Sequence, residues 1–366
     1  MITIIGAGMI GLSLGWRLAQ AGQQVSIFER GQAGQEASWA AAGMVAPGAD
    51  NHDLLTLMMA SRAIWPAFAA ELEAAAGQLI DYCTTGHLSV ALDETSHGLA
   101  RSRLHEYEAR GWDASWLTGS EARALEPALS PAVTGACLNR YWHFVNNRLA
   151  NQALLTAFQQ AGGQLHEGMA VSAIQHRHGR VTGLVVNGED VPAETLVLAA
   201  GAWSDLLADL PAEAGPRIKP VKGEMFSLKM PPGEPIFRHM ISRPAGVMVA
   251  HRAGDVVIGG SKLPGRRDKT VHSGTLADLL QSAHRYIPAL RELPFGQSWA
   301  GIRPGTEDGL PYLGPTPLAG LYLATGHYMD GILLAPITAQ LMSETILSGQ
   351  LPADLAPFQL ARHAGT

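Results

Sequence analysis

The sequence predicts an α/β fold of two closely joined domains, on the basis of three observations. The first thirty residues have the pattern of a strand, a glycine turn, a helix and a second strand. Two later apolar runs, residues 195–199 and 321–324, each end beside a glycine, as buried parallel strands do. In residues 216–296 the pattern changes to proline-interrupted strands, which indicate a second domain built on a mostly antiparallel sheet.

The composition narrows the class of protein. With 366 residues, of which 47% are hydrophobic and 16% charged, the chain suits two domains with a mostly buried sheet. The formal net charge of −6 gives no support to nucleic-acid binding. Cys83 and Cys137 lack C-x-x-C spacing, which argues against a disulfide framework or a metal site and favours a cytoplasmic protein. No apolar run is long enough for a membrane span.

The N-terminal unit carries the sequence G-x-G-x-x-G in the context that makes it informative. Gly6 allows a sharp turn after the first strand, Gly8 lets the backbone approach a pyrophosphate, and Gly11 lets the following helix pack closely. The helix N-terminus can then hold phosphate oxygens. Glu29 ends the second strand, where a carboxylate takes a ribose 2′-hydroxyl. This unit alone predicts a Rossmann-like dinucleotide site and fits NAD and FAD equally.

The remaining elements follow in order. After a small-residue loop containing ASWAAAGM, helical patterns cover residues 54–76, 99–110 and 120–125, although Ser120 and Arg123 do not form a full capping box. A helix at 147–161 precedes a hairpin formed by residues 170–175 and 181–187, whose His176 and His178 lie at a solvated tip.

The last third of the chain adds a helix around 276–286 in the second domain and a final helix at 331–347. The basic cluster at 266–269 is most simply a solvated loop. Because Gly6, Gly201 and Gly326 all end buried strands, we expect them to share one rim of a parallel sheet, where ligands bind.

Several segments together resemble the FAD-dependent D-amino-acid oxidase superfamily, most closely the glycine oxidases of thiamine biosynthesis. They are GAGMIG, FER, ASWAAAGM, LVLAAGAWS, PVKGEM, WAGIRPGTEDGLPYLG and ATGHYMDGILLAP. The resemblance spans essentially the whole chain. It implies a discontinuous FAD-binding domain of the GR2 type (residues 1–80, 145–215 and 300–366) and an α+β substrate domain on an antiparallel sheet (residues 81–144 and 216–299).

The resemblance also implies the cofactor contacts. The flavin-binding residues would be Gly6, Gly8, Met9, Ile10, Gly11, Glu29, Arg30, Ala37, Ser38, Ala42, Gly43, Met44, Val171, Gly201, Gly326, His327, Tyr328, Asp330, Gly331, Ile332 and Leu333. A helix that begins near Gly331 would direct its positive end at the flavin pyrimidine edge. Asp330 is equally a candidate N-cap residue of that helix.

The implied reaction is oxidative deamination of a small amino acid or amine, with hydride transfer to flavin N5, reduction of O₂ to H₂O₂ and an imine product. Arg303 matches the carboxylate-binding arginine of the family, and a guanidinium fork suits a planar carboxylate. Two alternatives stay open: a dehydrogenase that passes electrons to a quinone or carrier, and a flavin-binding redox sensor. The sequence also leaves open covalent attachment of FAD and a homo-oligomeric state.

Two positions depart from the family pattern. Met329 stands where glycine oxidases carry an arginine, and Val247 or a neighbour replaces the tyrosine often found on the substrate-domain strand. Both changes make the pocket less polar. We therefore expect a substrate preference shifted toward a bulkier or more apolar amine or amino acid. Met44, Met225 and Met248 are candidates for the substrate cavity, although methionine is more often a core residue.

Overall fold

The computed structural model describes residues 1–231, 233, 235–243, 248–252 and 254–363. Its helices are α1 Met9–Gln20, α2 Ala37–Ala40, α3 His52–Ala76, α4 Glu94–Ala109, α5 Gly119–Leu125, α6 Asn147–Gln160, α7 Ser273–Tyr286 and α8 Gly331–Ser348. The strands up to residue 200 are β1 Ile2–Ile5, β2 Val25–Glu29, β3 Met44–Val45, β4 His87–Ala91, β5 Ala114–Thr118, β6 Gly135–Asn139, β7 His143–Phe144, β8 Gln164–Glu167, β9 Val171–Arg177, β10 Arg180–Val186, β11 Glu189–Pro192 and β12 Thr195–Leu198. Those that follow are β13 Lys219–Lys229, β14 Met240–Ser242, β15 Met248–Arg252, β16 Asp255–Gly259, β17 Leu263–Pro264, β18 Phe295–Gly305, β19 Tyr312–Pro315 and β20 Leu321–Thr325.

The first sheet has six strands in the order β19-β20-β12-β1-β2-β8. Strands β20, β12, β1, β2 and β8 run parallel, and β19 pairs antiparallel with β20 at the edge. Helices α1, α3, α6 and α8 pack together beside it. Their apolar side chains form one core with β1, and Trp16, Trp65 and Phe158 are almost fully buried there. The α/β class predicted from the sequence is confirmed.

The parallel register places three glycines at neighbouring strand ends. Gly6 directly follows β1, Gly326 directly follows β20, and Gly201 is the third residue after β12. Since β20, β12 and β1 are consecutive in the sheet, these glycines lie along one rim. The prediction that the three strand ends share a rim is therefore confirmed.

The second sheet has nine strands in the order β17-β13-β16-β15-β14-β4-β6-β5, with β18 on the other side of β13. Every pair is antiparallel except β4 with β14. The predicted antiparallel second sheet is thus confirmed, with one parallel pair in its middle. Strand β18 stays in this sheet as far as Gly305, so the chain returns to the first sheet only after that residue.

Three local details refine the sequence analysis. The predicted hairpin is formed by β9 and β10, and β11 extends it to three strands. Helix α5 does begin with a capping box, but its partners are Thr118 and Glu121. Both partners lie two residues before the pair Ser120 and Arg123 that the sequence suggested.

Helix α8 is the one described helix whose length and apolar content would suit a membrane span. Most of its residues are buried, and it packs against α1 and α3. That arrangement is the one expected of a core helix.

Candidate active site

A long cleft lies along the rim of the first sheet. It is lined by the segments that follow β1, β2, β12 and β20, together with the start of α8. Its wall residues include Ile5, Gly6, Gly8, Met9, Ile10, Phe28, Glu29, Arg30, Glu36, Ala37, Ser38, Ala41, Ala170, Val171, Ala199, Ala200, Gly201, Ala202, Trp203, Leu206, Leu207, Pro304, Ala324, Thr325, Gly326, His327, Tyr328, Met329, Gly331 and Ile332.

The glycine turn between β1 and α1 has no room for a side chain at Gly6 or at Gly11. A Cβ on Gly11 would lie 2.0 Å from the carbonyl oxygen of Gly6. Gly6 itself has a φ of +105°, and its Cβ would lie 2.6 Å from the carbonyl oxygen of Ala199. These two glycines let α1 start against the strand and bring β12 close to the turn.

Two polar side chains bond to this turn. The Glu29 carboxylate is buried and accepts the backbone N–H of Ala7 at 2.9 Å and that of Gly31 at 3.0 Å. The hydroxyl of Ser38 accepts the N–H of Met9, the first residue of α1, at 2.9 Å. Both residues line the cleft, and each acceptor has further lone pairs, so both can also contact a ligand.

Arg30 connects two walls of the cleft. Its guanidinium stacks on the ring of Trp203, with the Cζ atom 3.7 Å from the ring centroid, and pairs with Glu36 at 2.9 Å. Trp203 follows β12 and Glu36 follows β2, so the contacts cross the end of β1. Arg30 was predicted as a site residue, whereas Trp203 and Glu36 were not. The position of Trp203 shortly after the strand-ending Gly201 is the signal that would have found it.

The segment before α8 forms the opposite part of the cleft. Tyr328 has a φ of +48°, and its N–H donates to the carbonyl oxygen of Pro304 at 3.0 Å. His327 is buried, and its Nε2 atom shares a hydrogen bond of 3.1 Å with the hydroxyl of Thr338. Burial lowers the pKa of His327 to about 3, so the imidazole is neutral at physiological pH.

Asp330 occupies the N-cap position of α8, as predicted, but its side chain makes no capping hydrogen bond. The carboxyl group is half-buried, and burial raises its pKa to about 7, an effect that Lys262 opposes. The folded protein therefore binds this proton more tightly than the unfolded chain, whose carboxyl titrates near its usual value. The Asp330 carboxyl therefore favours the folded state most at low pH. This contribution to stability falls as the pH rises from the pKa of Asp330 in the unfolded chain to its pKa in the folded protein.

We expect Asp330→Asn to raise the Tm of the cofactor-free protein at about pH 8 and to change it much less at about pH 5. Thermal unfolding of both proteins across this range measures the difference. Asp278→Asn, on an exposed turn of α7, is the control and should shift the Tm equally at both values. A Tm difference between Asp330→Asn and the wild type that does not change with pH would contradict the raised pKa of Asp330.

Arg303 lies on β18 beside Pro304, which lines the cleft. One guanidinium nitrogen, Nη1, donates to the carbonyl oxygen of Ser261 at 3.0 Å. Within the described part of the chain, no carboxylate forms an ion pair with Arg303. Burial lowers the pKa of Arg303 and nearby Tyr328 raises it. A half-buried guanidinium with free donors is suited to a carboxylate from outside the chain.

The structure places sixteen of the predicted cofactor and substrate residues on the cleft wall: Gly6, Gly8, Met9, Ile10, Glu29, Arg30, Ala37, Ser38, Val171, Gly201, Gly326, His327, Tyr328, Met329, Gly331 and Ile332. Gly11, Ala42, Gly43, Met44, Arg303, Asp330 and Leu333 are not on that wall. Val247 lies outside the described residues.

The predicted residues that do not line the cleft make other contacts. Gly43 has a φ of +82°, and its Cβ would lie 1.9 Å from the carbonyl oxygen of Val145, so it allows β3 to approach β7. The carbonyl oxygen of Leu333 accepts the Ser61 hydroxyl and the Trp65 indole N–H. Met44 and Met248 pack in a small apolar cluster, and Met225 is buried in another.

The predicted loop at residues 266–269 is confirmed, and Arg266 and Lys269 are exposed, but its charged side chains also form ion pairs with other segments. Arg267 pairs with Asp205 at 2.7 Å, and Lys269 pairs with Glu36 at 2.7 Å. Asp268 accepts from the buried Lys222 ammonium at 2.7 Å. No group of three His, Cys, Asp or Glu residues suited to a metal ion occurs in the described ranges.

The cleft fits an FAD molecule. The N-termini of α1 and α8 both open into it, and neither N-cap residue provides a capping side chain. Uncapped helix N-termini bind phosphate and other anionic groups. Glycine and alanine predominate near the turn, which lets a flat ligand approach the backbone. Glu29 and Ser38 would hold the adenosine half, and residues 326–332 would enclose the flavin.

Comparison with known proteins decides the family. The sequence matches the FAD dependent oxidoreductase (DAO) family over residues 1–345. The chain belongs to this family. It is a FAD-dependent oxidoreductase acting on CH–NH or CH–NH₂ groups, so the cofactor and enzyme class expected from the sequence are confirmed.

Its relatives in this family include glycine oxidases. The Geobacillus kaustophilus glycine oxidase is 35% identical and aligns with 100% of this chain and 97% of its own length. The bifunctional protein ThiO/ThiG of Synechocystis is also 35% identical, over 100% of this chain and 54% of that protein. The crystal structure of Bacillus cereus glycine oxidase superposes with a TM-score of 0.91 at 32% identity, covering 100% of this chain and 99% of that one.

Proposed function

We propose that this FAD-dependent oxidoreductase oxidises a small amino acid whose carboxylate is held by Arg303. The carrying observation is the Arg303 guanidinium, which has free donors and lies beside Tyr328 and the flavin end of the cleft. The glycine oxidase relatives support an amino-acid substrate. A redox sensor would have no use for such a carboxylate site.

When bound in the cleft, FAD would supply a two-electron acceptor: N5 would take the hydride of the amine-bearing carbon, which becomes an imine, and O₂ would reoxidise the flavin and become H₂O₂. The chain supplies orientation. Arg303 fixes the carboxylate, and this directs the Cα–H bond toward the cofactor. Neutral His327 stabilises the flavin end of the cleft through its hydrogen bond to Thr338 and carries no charge of its own. Because the Cα–H bond breaks by direct hydride transfer, no protein base is needed to remove a proton from Cα, and the reacting amine is the neutral form.

The substrate preference follows from Met329. This side chain is 46% exposed on the cleft wall, where it offers an apolar surface beside Tyr328. We propose a preference for a bulkier or more apolar amino acid or amine than glycine. Steady-state turnover of glycine and of apolar D-amino acids tests it, and comparable turnover of the two would contradict the preference.

Electron transfer to O₂ distinguishes the proposed oxidase from a dehydrogenase. Oxygen consumption and H₂O₂ formation by the air-saturated enzyme with its substrate are the expected results. Flavin reduction without oxygen uptake, restored by a quinone, would identify a dehydrogenase instead. Both cysteines are unpaired, which supports placing the enzyme in a reducing cytoplasm.

A further inference from the structure

Arg303 lies over a glycine of the neighbouring strand. Strands β13 and β18 pair with Val221 opposite Arg303 and Gly223 opposite Gly301. Residues two apart on a strand share a face, so Val221, Gly223, Gly301 and Arg303 all point to the same side of the sheet. A Cβ on Gly223 would lie 2.5 Å from both Nη1 and Nη2 of Arg303.

Gly223 has no conformational reason to be glycine. Its φ lies outside the left-handed region, and glycine weakens the interior of a strand. The three described atoms nearest to its missing Cβ all belong to the guanidinium of Arg303. The absence of a side chain therefore provides the space that the guanidinium fills.

A second backbone segment holds the other side of the guanidinium. The carbonyl oxygen of Ser261 accepts from Arg303, and the Ser261 hydroxyl accepts the N–H of Glu224 at 2.9 Å. Lys222 and Glu224 point to the opposite face of β13, where Lys222 pairs with Glu224 at 3.2 Å. His272 donates its N–H to Glu224 at 3.0 Å. This buried network fixes the strand on which the guanidinium rests.

We infer that Gly223 and Ser261 are positioning residues for Arg303 and set its orientation toward the substrate carboxylate. The inference rests on the proposed function, because it assigns Arg303 to a carboxylate. The arrangement has a direct consequence for substitution at Gly223. An added methyl group meets the far end of a flexible side chain, so the protein still folds and Arg303 moves.

We expect Gly223→Ala to keep its FAD and its Tm but to raise the KM for the amino-acid substrate about tenfold or more, since small displacements of an oriented group are costly. The Kd for glycolate, a carboxylate probe followed through the flavin spectrum, should rise by a similar factor. Ser261→Ala should give a smaller rise. Gly274→Ala, whose Cβ meets nothing within 4 Å, is the matched control and should leave both constants unchanged.

A double-mutant cycle separates this role from a general structural effect. In the Arg303→Met background, Gly223→Ala should add no further change in glycolate binding. An added loss in that background, or a wild-type KM and Kd in Gly223→Ala, would overturn the inference. If no amino acid reduced the flavin while glycolate binding still depended on Gly223 through Arg303, the proposed function would fail and the inference would stand.

A separate set of contacts crosses the mouth of the cleft. The segment at residues 266–269 follows β17, and its side chains bond to both walls. On the β12 side, Arg267 pairs with Asp205 and donates to the carbonyl oxygen of Ala202 at 3.0 Å. On the β2 side, Lys269 pairs with Glu36. Since β1 lies between β12 and β2, the segment spans the glycine turn.

We propose that this segment, the strap, limits the entry and release of FAD. Asp268 anchors its centre to the buried Lys222, so opening requires the two outer ion pairs to break. Ala202, Glu36 and the nearby Trp203 are cleft residues, which places the strap directly against the cofactor path. The half-exposed ion pairs make the barrier sensitive to salt.

The test uses the FAD-loaded enzyme and follows release by the rise in FAD fluorescence after dilution. Replacing Arg267 and Lys269 by alanine together should speed both release and rebinding about tenfold, since each exposed pair contributes a fraction of such a barrier. Lys229→Ala, which removes the ion pair of an exposed lysine with Asp255 outside the cleft wall, is the matched control and should keep both wild-type rates. Unchanged rates would overturn the proposal. Faster release at an unaltered rebinding rate would also overturn the proposal. That result would show that Arg267 and Lys269 bind the cofactor directly and do not limit its passage.

Discussion

Arg303→Met should raise the KM for the amino-acid substrate by a factor of about 30 to 1000, corresponding to a loss of about 2–4 kcal/mol for a truncated charge pair. The guanidinium is half-buried, and Ser261 satisfies one of its donors, which leaves the rest for a carboxylate. Arg303→Lys keeps the charge but loses the fork, so its KM should lie between those of the wild type and the methionine variant.

Steady-state kinetics with an amino acid and with the corresponding amine that lacks the carboxylate measure this effect. The amine lacks the group that Arg303 holds, so its turnover should be equally low with either enzyme. Arg291→Met, at an exposed position after α7, is the control and should behave as the wild type. An unchanged KM in Arg303→Met would show that the substrate is a plain amine.

Gly11→Ala should abolish FAD binding. The added Cβ would lie 2.0 Å from the carbonyl oxygen of Gly6, and both atoms belong to packed backbone that cannot rotate away. The start of α1 must therefore move off β1, which displaces the helix N-terminus that faces the cleft. The purified variant should be colourless, and titration with FAD should show no saturable binding at concentrations that saturate the wild type.

Two further glycine variants serve as comparisons for Gly11→Ala. A Cβ on Gly8 would lie 3.2 Å from the Ser38 hydroxyl, so Gly8→Ala should fold and bind FAD more weakly. Gly98, in α4, has nothing within 4 Å, and Gly98→Ala should bind FAD normally with a gain of about 0.5–1 kcal/mol in stability. A yellow, fully loaded Gly11→Ala protein would refute the account of the turn.

The sequence predicted those features that depend on local sterics. Gly6 and Gly11 stand where any side chain collides, and a carboxylate at Glu29 ends a strand beside them, so the glycine turn could be recognised without coordinates. Buried apolar strands that end in Gly201 and Gly326 predicted a common rim because parallel neighbours must align their ends.

Features that depend on strand register or long-range pairing escaped prediction. The contact between Gly223 and Arg303 requires the particular pairing of β13 with β18, which no local pattern encodes. The charges of residues 266–269 are the same whether they are solvated or paired, and only the fold brings Glu36 and Asp205 to them. Trp203 and Glu36 escaped for the same reason, since their shared contact with Arg30 crosses strand β1.

The central claim is that this cleft binds FAD and that Arg303 presents an amino acid to it. Anaerobic mixing of the FAD-loaded enzyme with a panel of small amino acids and their carboxylate-free amines tests it most directly, with the flavin absorbance as the readout. We predict that at least one amino acid bleaches the flavin, that its amine counterpart does not at the same concentration, and that Arg303→Met removes the difference. No bleaching by any member of the panel would contradict the account.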